Sequence, residues 1–320
     1  AFRGFGGPQG KFVIEAAIVK AAESLGVSPA VIQKVNLVVD GDELSYGQIL
    51  QQVEARNAWE SCMEKYDYES QKKRVAAFNA SNSRYKKGLA IQPICFGISF
   101  TNTMMNHARA LVHIYHDGSV VVSTGAVEMG QGVNTKMLQI VTETFGIPNN
   151  RVRIESTNTL RVANTSPTAA SAGADLNGKA LQMACVALSD RLKAVAQKEY
   201  IDANIDLKEE NVFANGVPTD ISWNDLVMKA FTQRVALSEN SHYSTPTIHY
   251  DKTKEKGHPF AYHVYGTAIH EVTVDCLRGT YDFDSVNIVH DFGKSMNIDI
   301  DNGQIEGGLV QGIGWMTLEE

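Results

Sequence analysis

Three short runs carry the residues best suited to chemistry: Ala1-Phe2-Arg3-Gly4-Phe5-Gly6-Gly7-Pro8-Gln9-Gly10, Glu128-Met129-Gly130-Gln131-Gly132 and Ser166-Pro167-Thr168-Ala169-Ala170-Ser171-Ala172-Gly173. In the first, glycines free the backbone to lie against a ligand, while Phe5 and Arg3 supply an apolar wall and a rigid fork of donors. In the second, Gln131 offers an amide donor and an acceptor. In the third, Thr168 and Ser171 offer hydroxyls, with Thr165 and Ser166 beside them. Each run precedes a helical pattern, where unpaired N–H groups and the positive end of the helix dipole attract an anion by ~0.3–1 kcal/mol per charge. A phosphate or a polyoxygenated cofactor suits such a place. Taken singly, each run also reads as a glycine turn that serves helix packing. Three together weigh against that reading.

Other chemistries find less support. Pro8 and the displaced Gly10 break G-x-G-x-x-G, and no strand pattern precedes the first run, which argues against a dinucleotide site. Glu128, beside its glycine turn, is expected to orient the loop by accepting backbone hydrogen bonds rather than to act as a base. His113 falls on a strand pattern and His116 in a turn. With neither H-E-x-x-H nor a Cys/His cluster, no metal ligand is expected from side chains. Cys62, Cys95, Cys185 and Cys276 lie far apart without a C-x-x-C pair, and read as buried thiols of a reducing compartment.

The elements that must position these runs are legible from periodicity. Helical spacing predicts helices over 12–25, closed by Gly26, over a short segment after Ser28-Pro29, and over 48–66, 135–145, 175–200 and 222–234. Period-two patterning predicts strands at 89–91, 98–100 and 152–155. It also predicts one hairpin, 110–115 with 119–122 across Asp117-Gly118, and a second joining 263–276 to 281–289. A glycine-rich segment, 303–314, is expected to lead into a closing helix. Helices and antiparallel strands without βαβ alternation indicate an α+β fold.

The chain's 320 residues, 43% of them hydrophobic, suffice for two domains or subdomains. The charged, Ser/Asn-rich stretch 69–87 is the expected boundary, dividing 1–88 from 89–320. Net charge is −7 and the longest basic run is Lys72-Lys73-Arg74, so no nucleic-acid partner is expected. No apolar stretch reaches the ~18–20 residues of a membrane span and no signal pattern opens the chain, so a cytoplasmic protein with no membrane partner is expected. Both ends read as interrupted elements of a longer polypeptide.

The three runs, with Phe96-Gly97-Ile98-Ser99-Phe100-Thr101, Asp117-Gly118-Ser119-Val120 and Gly303-Gln304-Ile305-Glu306-Gly307, resemble the molybdenum-cofactor-binding portion of the xanthine dehydrogenase and aldehyde oxidase family of molybdenum hydroxylases. The resemblance covers essentially the whole chain. It implies molybdopterin-binding domains of mixed helices and antiparallel sheets, 1–88 closing a first such subdomain and 89–320 forming most of a second. The pterin's dithiolene would hold the metal, leaving the protein to position it and tune its surroundings.

By the same resemblance, Gln131, Gly132, Ala169, Ala170, Ser171, Gly173 and Gln304 would contact the cofactor, and Arg3 would lie near the metal. Phe5 and Phe100 would sandwich a flat heterocycle, and Thr101 would touch its edge. The implied reaction is hydroxylation of a purine, hypoxanthine or xanthine, with oxygen from water. The family's general-base Glu would lie beyond Glu320, and its substrate-orienting Glu and Arg before Ala1. The expected partners are therefore the remainder of the molybdenum subunit and the domains or subunits that carry iron–sulfur clusters and FAD. The alternatives are an aldehyde or nicotinate hydroxylase of the same family and a non-catalytic assembly module.

Overall fold

In the computed structural model, which describes residues 3–319, the helices are α1 (Gly7–Leu25), α2 (Pro29–Val35), α3 (Ala55–Lys65), α4 (Tyr68–Ser81), α5 (Val133–Phe145), α6 (Gly173–Ala196), α7 (Trp223–Thr232) and α8 (Ile298–Thr317). The strands are β1 (Tyr85–Ile98), β2 (His107–Ile114), β3 (Val120–Thr124), β4 (Val152–Ile154), β5 (Ile205–Lys208), β6 (Asn211–Ala214), β7 (Val217–Ser222), β8 (Ser238–Ser244), β9 (His249–Asp251), β10 (Lys256–His258), β11 (Tyr262–Asp275) and β12 (Thr280–Asp291). The chain divides into two units, one taking residues through Ile98 with Ile248–Lys294, the other Ser99–Thr247 with Ser295 onward. The 88/89 position falls inside β1. Among the described residues, no helix is long and apolar enough to cross a membrane.

The first unit is built on an antiparallel sheet of order β1-β11-β12, with Ile91 opposite Ile269 and Cys95 opposite Tyr265. Helix α3 lays Trp59 and Cys62 over Ile91 and Ile269, and Tyr68 of α4 completes that small core. Strand β1 runs unbroken through Pro93, where two separate strands are predicted. It is an edge strand, so one missing ladder donor is tolerated. Residues 99–100 lie beyond it. The helix predicted from residue 48 begins only at Ala55, because the buried Gln48 is held elsewhere: its Nε2 donates to the Phe260 carbonyl at 2.9 Å. The charged stretch 69–87 is mostly α4, whose first turn is capped where Ser70 N–H donates to Asp67 Oδ1 at 3.2 Å. Cys62 is buried, whereas Cys276 is exposed, contrary to the reading of all four thiols as buried. It stands in the β11–β12 turn, where Asp275 Oδ1 accepts the amides of Leu277 and Arg278.

The second unit contains a sheet of order β4-β3-β2-β8 and a smaller one of order β5-β6-β7. The predicted Asp117-Gly118 hairpin joins β2 to β3 with Ile114 opposite Val120, while β4 lies parallel to β3. Alternation places Ala108, Ala110, Val112 and Ile114 inward, and they share one core with Met137 and Val141 of α5 and Leu181, Leu188 and Leu192 of α6. Half of the 24 residues of α6 are buried, and each such Leu contributes about 1.5–3 kcal/mol by leaving water. Helix α7 begins with a complete capping box between Ser222 and Asp225. The segment 303–314 lies within α8 instead of preceding it. The Ile300 N–H donates to Asn297 Oδ1 at 3.2 Å, and Asp299 and Asp301 occupy the first turn, supports that offset part of the roughly 1 kcal/mol each helical glycine costs.

Core burial makes a direct prediction. Leu188→Ala, at a fully buried site, lowers stability by about 2–5 kcal/mol, whereas Leu277→Ala, at a site 78% exposed, changes it by less than about 0.5 kcal/mol. Denaturant midpoints of the two variants check this, and equal shifts would contradict the core assignment.

Candidate functional site

The turn entering α5 is shaped by one carboxylate. Glu128 Oε1 accepts from the N–H groups of Gly130 at 2.9 Å and Gly132 at 3.0 Å, and Oε2 accepts from Asn134 N–H at 2.9 Å. Burial pushes this carboxyl upward, but the amides of Asn134, Gly132 and Gly130 outweigh it and hold it below its ordinary value. Gln131 closes the same turn: Met129 N–H donates to its Oε1 at 2.6 Å, and its Nε2 donates to the Val127 carbonyl at 2.8 Å. By valence the amide keeps one N–H and one lone pair for another partner. Gly132, the residue before α5, has φ 76°, and a Cβ there would lie 2.7 Å from the Ile300 side chain. Left-handed backbone and close approach both require glycine here.

A second loop, 165–173, is stapled to this turn. Thr168 Oγ1 accepts from Val127 N–H at 2.9 Å, and the Thr157 hydroxyl donates to the Ala126 carbonyl at 2.8 Å. Thr165 covers Gly125 so closely that a Cβ on that glycine would lie 2.4 Å from it. Ala170 and Ser171 both adopt φ 54°, a conformation costing on the order of 1–3 kcal/mol per non-glycine residue and kept only where the surroundings enforce it. Helix α6 then starts at Gly173 with no capping side chain.

The first turn of α8 completes the arrangement. Ile300 lies under Gly132, Lys136 Nζ reaches Asp301 Oδ1 at 2.7 Å, and Gln139 Nε2 donates to the Met296 carbonyl at 2.9 Å. Gln304 sits one turn beyond Ile300 and Asp301 on the same helical face, half-buried. The second unit therefore draws together the segments of Gln131, Gly132, Ala169, Ala170, Ser171, Gly173 and Gln304.

Phe100 and Thr101 belong to the same unit, in a loop pinned by the buried Asn106. Its Oδ1 accepts from Phe100 N–H and its Nδ2 donates to the Phe100 carbonyl, both at 2.8 Å. Phe100 is half-buried and Thr101 exposed. Arg3 and Phe5 lie in the first unit, where Phe5 has φ 44° between two left-handed glycines and its ring is 84% exposed. Ala1 and Phe2 of that run fall outside the described residues.

The three helix starts are not equivalent. That of α5 already holds the Glu128 carboxylate, which takes the amides of Gly132 and Asn134, and that of α1 has proline in its first turn and so lacks one donor. The α6 start has no side-chain cap and lies against Thr168, while the Thr165 Oγ1, in the same loop and beside Gly125, is a buried atom with no hydrogen-bond partner. A helix start without a side-chain cap, an orphaned hydroxyl, the exposed Ser171 and the unused half of the Gln131 amide fit a polyoxygenated anionic group such as molybdopterin. Thr168 and Asp301 organise the site through contacts distant in sequence, whereas Asn106 acts locally, on Phe100 six residues before it, with no motif to mark it. Only the Ser/Thr density of 165–171 signals the first.

Comparison with known proteins agrees with this geometry. A family model described as a molybdopterin cofactor-binding domain matches residues 61–320, and a second of the same description matches 1–37. Xanthine dehydrogenase/oxidase of Gallus gallus is 41% identical over 100% of this chain and 22% of its own length. The Mus musculus protein of the same name is 40% identical over the same shares. Aldehyde oxidase 2 of Macaca fascicularis is 39% identical, again over 100% of this chain and 22% of its own. The chain thus spans less than a quarter of these relatives. In fold it is similar to the aldehyde oxidoreductase of Desulfovibrio desulfuricans, with TM-score 0.79, 24% identity, and coverage of 98% of this chain and 32% of that one. It is likewise similar to quinoline 2-oxidoreductase of Pseudomonas putida, with TM-score 0.80, 22% identity, and coverage of 95% and 40%.

Glu128→Gln removes the charge that gathers three amides. Hydrogen exchange of Gly130, Gly132 and Asn134 in the full-length protein should quicken by roughly tenfold or more, given about 1.5–3 kcal/mol for a hydrogen bond to a charged group. Because the folded carboxyl titrates below its ordinary value, this protection is complete above the ordinary carboxylate range and is lost as pH falls through the depressed value. Unchanged exchange in the variant would contradict the assignment.

Proposed function

The chain belongs to the molybdopterin cofactor-binding domain family, and from that membership we propose that it forms the molybdopterin-binding part of a xanthine dehydrogenase-like hydroxylase. Its substrate in this reading is a purine, hypoxanthine or xanthine, oxidised with oxygen from water. The observation that carries the reading is the Val127–Thr168 staple, which sets the Gln131 turn beside the uncapped start of α6. Identity of 41% to xanthine dehydrogenase/oxidase along the entire chain supports the substrate class. The remainder of the molybdenum subunit, and the iron–sulfur and FAD portions, belong to the rest of the protein or its partners. Four free thiols support a cytoplasmic, reducing location.

In this reading Gln131, Gly132, Ala169, Ala170, Ser171, Gly173 and Gln304 grip the cofactor through backbone groups, hydroxyls and neutral amides. When bound, the group supplies two-electron oxidation chemistry at an electron-poor carbon. Arg3 places a permanent positive charge near the metal. Phe5 and Phe100 clamp the flat substrate face-on and edge-on, and Thr101 reads its edge. Glu128, already bound to three amides, holds the Gln131 turn and takes no proton. An aldehyde is the second reading, favoured by the 39% identity to aldehyde oxidase 2.

The test is kinetic and compositional. Full-length protein should carry stoichiometric molybdenum and pterin, and Gln131→Ala should lose pterin. Phe5→Ala should lower kcat/KM for xanthine roughly tenfold more than for a small aldehyde, consistent with aromatic contacts of about 0.5–1.5 kcal/mol beyond area burial. Equal losses on both substrates would favour the aldehyde reading, and active protein without molybdenum would overturn the proposal.

A further inference from the structure

Helix α8 has 20 residues, and among them Asp301 is the buried one. Apolar members stand in solvent, with Val310 66% and Ile298 58% exposed. An amphipathic helix normally docks by an apolar stripe, whereas the first turn of α8 meets α5 through one apolar contact, Ile300 at Gly132, and a set of polar ones. Lys136 Nζ and Asp301 Oδ1 are 2.7 Å apart with side chains only 18% and 11% exposed. The Ser295 hydroxyl donates to Asp301 Oδ2 at 2.6 Å, so both carboxylate oxygens are engaged. Lys136 is itself tied to the start of α5, its N–H donating to the Gly132 carbonyl at 3.2 Å. The pair thus connects the residue that opens α5 to the turn of α8 from which Gln304 projects one turn later.

We propose that Lys136 and Asp301 are positioning residues for the cofactor cradle, docking the first turn of α8 on α5 so that Gln304 is held at the Gln131 turn. This inference rests on the reading of the site as a molybdopterin cradle. A partly buried ion pair is poor at adding net stability, because desolvation offsets the attraction, but removal of one partner leaves an uncompensated charge. The pair therefore fixes geometry more than it contributes to folding. Its loss frees Gln304 while the apolar core of the unit, formed by α5, α6 and the sheet, stays intact.

The experiment uses the full-length holoprotein and compares Lys136→Met, Asp301→Asn, Lys136→Arg and Gln304→Ala by pterin retained after dialysis, by hydrogen exchange over residues 298–306, and by kcat and KM separately. Lys136→Met and Asp301→Asn should each lose pterin roughly tenfold faster, within the usual range of coupling between sites, with faster exchange in 298–306 and a fall in kcat at little-changed KM. Lys136→Arg should retain pterin. If Gln304→Ala loses pterin while Lys136→Met retains it at the wild-type rate, the positioning role is overturned and the cradle stands. If Gln304→Ala and Gln131→Ala both retain pterin, the cradle reading itself fails. Should the single variants not fold, the double variant Lys136→Met/Asp301→Asn leaves no orphaned charge, and wild-type retention there overturns the inference.

Discussion

A glycine turn has no intrinsic shape, so the turn opening α5 must be held by something outside its own backbone, and the carboxylate of Glu128 holds it. Three amides converge on that carboxylate, each such bond contributing about 1.5–3 kcal/mol. Everything around it registers on the result. Val127, one residue before, gives its N–H to Thr168 and so fixes the second loop. Gly132, four residues after, leaves the space that Ile300 of α8 fills.

The same economy explains why the starts of α5 and α6 differ. With Glu128 in place, a carboxylate already occupies the start of α5 and takes the amides of Gly132 and Asn134. The start of α6 has no side-chain cap, and Asp175 is the one acidic residue of its first turn; Ala170 and Ser171, just before the N-cap Ala172, are held in left-handed backbone. Rigid placement with open donors is the condition for recognising an anionic group without reorganisation on binding. In the proposed cradle the 169–173 side would carry the anionic contacts, and the Gln131 side would contribute shape and neutral hydrogen bonds.

Elements dominated by local signals were legible in the sequence. The Asp117-Gly118 hairpin, the ends of α1 and α5 at Gly26 and Gly146, and the capping of α7 by Ser222 all depend on residues within one or two turns. Elements decided by distant partners were not. Pro93 and Gly97 divide β1 on paper, yet pairing along β11 carries the strand through both. Gln48 has helical neighbours but is claimed by Phe260. The glycines of 303–314 suggest a loop, while the cap at Asn297 starts the helix and the Lys136–Asp301 contact fixes where its first turn lies. The short strands β5–β7 and β8 carried too little alternation to be seen. At the site, the three runs were visible as ligand-like sequence, and the role of Glu128 followed from its neighbours. The difference between satisfied and open helix starts was not visible, because it turns on hydrogen bonds between segments tens of residues apart.

The central claim is that the turn of Gln131 and the loop of Ala169–Gly173 together grip a pterin that carries its own molybdenum. An anomalous-scattering map of the full-length protein at the molybdenum absorption edge tests it directly. The account predicts a molybdenum peak with continuous pterin density reaching the Gln131 side chain and the amides of residues 170–173. A molybdenum position whose pterin touches neither segment would contradict it.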